Sequence, residues 1–94
     1  MIVRGYRYKF LSAAALQEAE KTLLLATLAA EGLYGESRVR MDAAYAVDET
    51  LNTIAVDTST SVGDDIASMF TAFVSRELGQ SKFLVRRLPA EVQA

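Results

Sequence analysis

The chain has 94 residues and a mass of 10.3 kDa, which leaves room for one hydrophobic core and excludes a second domain of ordinary size. Hydrophobic residues make up 51% and charged residues 23% of it, a globular balance, and ten Lys/Arg against twelve Asp/Glu confine any polyanion binding to a local patch. The absence of Cys, His and Trp removes disulfides, thiolate nucleophiles, thiolate or imidazole metal sites and histidine acid–base catalysis.

Residues 2–10 alternate Tyr6, Tyr8 and Phe10 with Arg7 and Lys9, the period of a strand covered on one face. Gly5 within it reads as a bulge that would turn Arg4 to the side of Arg7 and Lys9. Ser12 is an N-cap candidate, and residues 13–31 are rich in strong helix formers and closed by Gly32, which predicts a helix. Its apolar stripe is Leu16, Ala19, Leu23, Ala26 and Ala30, widened by Leu24 and Leu28. Tyr34, beside Gly32 and Gly35, reads as a loop side chain that caps the core.

Val39, Met41, Ala43, Tyr45 and Val47 share one parity, with Arg38, Arg40 and Asp42 on the other, so residues 37–47 read as a second strand. After the polar turn at Asp48, Glu49 and Thr50, residues 51–58 read as a third strand paired with it in a hairpin. Ile66, Met69, Phe70, Phe73, Val74 and Leu78 predict a second helix over residues 62–78, capped at Ser61 and ended by Gly79. A fourth strand over residues 82–88 is stopped by Pro89. Residues 1–89 are expected to form a single α+β domain, and residues 90–94 a loose tail.

This β-α-β-β-α-β string is the order of a ferredoxin-like sandwich, a four-stranded antiparallel sheet with two helices on one face. Burying the most apolar area puts Tyr6, Tyr8, Phe10, Val39, Met41, Tyr45, Ile54, Val56, Phe83 and Val85 under the helices. The opposite face is then basic, with Arg4, Arg7, Lys9, Arg38, Arg40, Lys82 and Arg86 as the candidate binding residues and Asp42 and Asp57 as its only acids. Eight of the ten basic residues, these seven and Arg87, fall in predicted strands.

Three uses of such a face compete. It can simply keep the sheet soluble, with weak cross-strand ion pairs. It can dock an acidic surface, of another protein or of a second copy, with electrostatics guiding encounter and register. It can bind nucleic acid or a nucleotide, as RNA-recognition modules of this topology do; those stack bases on sheet-face aromatics, whereas here the aromatics are assigned inward, which disfavours that use.

Residues 57–65 (DTSTSVGDD) have the look of a phosphate-binding loop at a helix start, but Asp64 and Asp65 put negative charge where the anion would sit. Capping is the favoured reading of this segment; the alternative is a divalent cation held by Asp57, Asp64 and Asp65, whose oxygens suit Mg²⁺ or Ca²⁺ although their spacing matches no EF-hand. Small acyl-phosphate phosphatases share the topology and hold phosphate between the first strand and the first helix. Here Phe10 and Leu11 run directly into Ser12, leaving no cradle, and Asn52 has no evident Arg partner, so the resemblance stops at topology.

The expectation is a non-catalytic binding or assembly module without cofactor or metal. It forms a homo-oligomer, for which the second strand at a sheet edge, with Ala44 and Ala46 outward, offers a two-fold contact. No segment approaches the roughly 20 apolar residues of a membrane span and the N-terminus carries no signal-like run, so the expected location is cytoplasmic.

Overall fold

The structure, a computed structural model, describes residues 2–89. It is a mixed α+β unit: a four-stranded antiparallel sheet and three α-helices. The elements are β1 (Gly5–Phe10), α1 (Ala13–Tyr34), α2 (Glu36–Asp42), β2 (Tyr45–Asp48), β3 (Thr53–Asp57), α3 (Ser61–Leu78), a 3-10 turn (Gln80–Lys82) and β4 (Phe83–Leu88). The sheet order is β2-β3-β1-β4, with β1 and β3 in the centre. The expected loose tail at 90–94 lies outside the described residues.

The core forms on one side of the sheet. Tyr8, Phe10, Ile54, Val56 and Phe83 from the strands join Leu16, Ala19, Leu23, Ala26 and Ala30 of α1, Val39 of α2, and Val62, Ile66, Ala67, Phe70 and Val74 of α3 in one buried cluster. Tyr6 packs half-buried at its margin. Three alanines on the inner side of α1 keep that helix slim enough to lie close against α3 and its Ala67. Aromatic rings hold the centre: Tyr8 meets Phe70 edge-on at 4.8 Å, and Phe83 lies 5.9 Å from Phe10 and 6.4 Å from Tyr8. Such pairs add about 0.5–1.5 kcal/mol each beyond the burial of their area.

The helix starts follow side-chain capping. Ser12 Oγ accepts from the Ala15 N–H at 3.1 Å, and Thr60 Oγ1, one residue before the expected cap at Ser61, accepts from the Gly63 N–H at 3.0 Å. The Thr60 hydroxyl also donates to the Asp42 carbonyl at 2.9 Å, tying the start of α3 to the end of α2. The first helix does not stop at Gly32 but continues to Tyr34, and Gly35, at φ 89°, supplies the break before α2.

The largest departure from the sequence reading is the segment expected to open the second strand. Residues 36–42 form a helix, and only Tyr45–Asp48 is strand. Two side-chain pairs at i,i+4 spacing explain it: Glu36 with Arg40 at 3.0 Å and Arg38 with Asp42 at 3.5 Å. The Arg38 guanidinium also stands over the Tyr34 ring at 5.0 Å. Val39 alone of this helix is buried, whereas Met41, expected inside, is 83% exposed. Tyr45 and Val85, also assigned to the core, are exposed as well: each lies on an edge strand, where less cover is available than over β1 and β3. No helix among the described residues is long and apolar enough to cross a membrane.

Tyr8 is fully buried, and its hydroxyl bonds the Thr71 hydroxyl at 2.6 Å, which itself donates to the Ala67 carbonyl at 2.8 Å. Burial raises the phenol's pKa above its ordinary value, and the neighbouring Tyr6 adds to the rise. The folded state thus holds this proton more tightly than the unfolded chain. The resulting stabilisation is complete below pH of about 10 and is lost as pH climbs through the folded pKa. Denaturant unfolding of Tyr8→Phe should show a loss of about 1 kcal/mol at neutral pH and a shallower decline above pH ~10 than the parent.

Gly5 permits a close approach of β1 to β3, since a Cβ there would run into the Val56 carbonyl. Gly32, inside α1, has nothing within 4 Å of where a Cβ would stand. Gly5→Ala is accordingly expected to cost about 2 kcal/mol or more, and Gly32→Ala to gain about 0.5–1 kcal/mol, both read from urea midpoints.

Candidate functional site

On the side of the sheet away from the core, the strand register sets out two rows. Ala46, Ala55, Arg7 and Arg86 lie abreast across β2, β3, β1 and β4, and Asp48, Thr53, Lys9 and Leu84 form the next row. Arg7 and Arg86 are direct cross-strand neighbours of like charge. With Lys9, Thr53, Leu84 and Val85 they line a shallow depression of about 500 Å³. Arg7 also reaches a second depression of about 690 Å³ on the β2 side, walled by Ala46, Asp48 and Leu51.

No ion pair among the described residues involves Arg7, Lys9 or Arg86. Two of the nearby carboxylates shape turns, while the third, Glu49, shares the lining of the second depression with Arg7 without forming an ion pair. Asp48 accepts from the Thr50 and Leu51 N–H groups at 2.9 and 3.1 Å and shapes the β2–β3 turn, and Asp57 accepts from the Ser59 N–H at 2.9 Å in the turn before α3. Lys9 donates from Nζ to the Leu51 carbonyl at 2.6 Å, so its stem is held down across the β3 side while its charge stays at the surface. The depression therefore combines two unpaired guanidiniums, one tethered ammonium and a little aliphatic floor.

The structure divides the candidate residues proposed from the sequence. Arg7, Lys9 and Arg86 come together. Arg38 and Arg40 do not: they belong to α2 and pair with that helix's own acids, and Asp42 leaves the sheet with them. Lys82 sits in the 3-10 turn ahead of β4 and Arg4 just before β1, and neither lines the depression. Arg87 points to the helical side, over the Tyr6 ring at 5.9 Å. Of the eight basic residues expected in strands, four are there: Arg7, Lys9, Arg86 and Arg87. Val85, assigned from the sequence to the helix-covered face, shares the lining, and so do Thr53 and Leu84, which that reading does not single out. Their parity with Lys9 was legible, but the β4 register that brings Leu84 alongside was not.

Among the described residues, the open face carries no aromatic platform. Tyr6, Tyr8 and Phe10, and Phe83 beside them, lie on the parity of the core, as does Tyr45 opposite Val56. The second polar cluster of the molecule is at the helical end, where the Tyr34 hydroxyl donates to the Asp65 carboxylate. That bond is the main reason the Tyr34 pKa is raised; desolvation and the charges of Asp65 and Asp64 add to it, and Arg38 opposes it. Asp65 is thereby committed to the fold. No group of three or more His, Cys, Asp or Glu among the described residues is placed to hold a metal ion.

No known protein family, curated protein or solved structure matches the chain.

Two guanidiniums side by side on adjacent strands repel each other, and relief of that repulsion should be measurable. Arg86→Gln is expected to raise stability by about 0.2–1 kcal/mol at low salt, with the gain fading towards ~1 M NaCl, where charges a few ångströms apart are screened. A gain independent of salt would show that packing, not charge, is responsible.

Proposed function

We propose that the protein is a non-catalytic binding module whose open sheet face docks an acidic segment of a protein partner, and that its fold is a ferredoxin-like sandwich elaborated by α2. The strand order, with β1 and β3 central and β2 and β4 at the edges, supports the fold reading, since it is the order in which two split βαβ units interlock. The binding reading is carried by one observation: Arg7 and Arg86 stand together, unpaired among the described residues, over a depression with no carboxylate in its lining. Like charges placed side by side cost stability, and a carboxylate-bearing partner converts that cost into affinity through bidentate Arg contacts.

Three features favour an acidic protein over the alternatives. A nucleic-acid strand would find no exposed aromatic ring on this face to stack upon, and stacking supplies much of the energy by which sheet surfaces hold single strands. A second copy placed face to face would bring four guanidiniums onto one another. The depression's lining also holds no carboxylate, and besides its cations it offers one hydroxyl, that of the buried residue Thr53.

The test is fluorescence anisotropy of a labelled Asp/Glu-rich peptide titrated with the full chain at ~20 mM and ~300 mM salt. Binding should weaken with salt and fall about tenfold or more in Arg7→Ala/Arg86→Ala, while Arg38→Ala/Arg40→Ala stays within about twofold of the parent. A single-stranded oligonucleotide binding as tightly as the peptide would replace this reading with nucleic-acid binding. Equal losses from both double variants would show the contact to be unspecific.

A further inference from the structure

Helix α1 has two apolar sides and the fold covers one of them. Leu16, Ala19, Leu23, Ala26 and Ala30 face the core, while Leu24, Leu25 and Leu28 remain 60%, 58% and 50% exposed. At about 100° per residue those three leucines centre on the side of the helix opposite the buried set. No described element lies over them, although the sequence reading counted Leu24 and Leu28 as part of the core stripe.

The charges flanking these leucines indicate what covers them. Lys21, Leu24, Leu28 and Glu31 follow one another at steps of three, four and three, the spacing of a coiled-coil seam. The seam is its own complement when reversed: basic, Leu, Leu, acidic in one direction and acidic, Leu, Leu, basic in the other. We propose that the protein is a homodimer in which α1 packs antiparallel on α1 of a second copy, about a two-fold axis at the level of Ala26. Leu24 then meets the partner subunit's Leu28, and Lys21 meets the partner subunit's Glu31, each contact occurring twice. A parallel arrangement would set Lys21 against Lys21 and Glu31 against Glu31, so the same residues that favour one orientation disfavour the other.

Lys21 is free to take this role. Its contact with Glu18, at 3.4 Å between two exposed side chains, contributes little and can be shared with or exchanged for Glu31 of the partner subunit. The seam lies on the outside of the helical layer, whereas Arg7 and Arg86 lie on the far side of the sheet. The dimer therefore leaves two basic faces open and makes the proposed acidic partner's site bivalent. It does not depend on that site being correctly identified.

Sedimentation equilibrium of the full chain tests the proposal. The parent should show twice the 10.3 kDa chain mass at ~100 μM, and Leu24→Glu/Leu28→Glu the monomer mass with an unchanged far-ultraviolet dichroism spectrum. Lys21→Glu and Glu31→Lys should each raise the dimer Kd about tenfold, and the double exchange should return it to within about threefold of the parent. Lys21 is exposed and Glu31 half-buried at the surface of α1, so the charge variants are expected to fold if the leucine variant does not. A parent that stays monomeric to ~1 mM, a dimer that survives Leu24→Glu/Leu28→Glu, as one through the β2 edge would, or a double exchange that fails to recover the affinity would each overturn it.

Discussion

The side-chain alternation of β1 is the constraint on which the rest of the molecule depends. Its central residue, Tyr8, is anchored to α3 through the Thr71 hydroxyl and the edge of Phe70, and Phe10 continues the contact into Phe83. Because strand side chains alternate, seating Tyr8 and Phe10 in the core obliges Arg7 and Lys9 to face the other way. A slip of one residue would bury two cations and expose two aromatic rings. The basic face is thus a consequence of the same interaction that attaches the sheet to its helices.

From that follows a division of the molecule into a helical side and an open sheet side with different chemistry. On the helical side, several charges are matched locally, Glu18 with Lys21, Glu36 with Arg40 and Arg38 with Asp42, and Asp65 accepts from the Tyr34 hydroxyl. On the open side, Asp48 and Asp57 are spent on backbone N–H groups of turns, and the cations of β1 and β4 are left facing one another. A net-acidic chain thereby carries a basic surface without any excess of Lys and Arg. The leucine-rich back of α1 is a second unpartnered surface, and it is separated from the first by the full thickness of the two layers.

Much of this was legible in the residues. The helices around Leu23 and Phe70 announced themselves by strong helix formers, polar caps and apolar residues at helical spacing. β1 was legible from three aromatics at period two, and with it the outward direction of Arg7 and Lys9. The segment at 36–42 misled because Val39, Met41 and Ala43 satisfy a period of two by chance, while the competing evidence, an acid and a base four residues apart in Glu36 and Arg40, is a weaker pattern. Once that helix forms, Arg38 and Arg40 are withdrawn from the sheet and the basic face shrinks to the cations of β1 and β4.

The chain's local chemistry determined which segments are helical or extended, where most of them stop, and which way the side chains of β1 point, because propensity, capping and alternation act over a few residues. Tertiary structure alone decided that Arg86 lies beside Arg7, that Lys9 reaches the Leu51 carbonyl, and that Leu24, Leu25 and Leu28 are left outside. These depend on strand register and on how many neighbours each helix receives. A helix with two apolar sides holds no instruction as to which one will be covered until α3 and the sheet take their places against it.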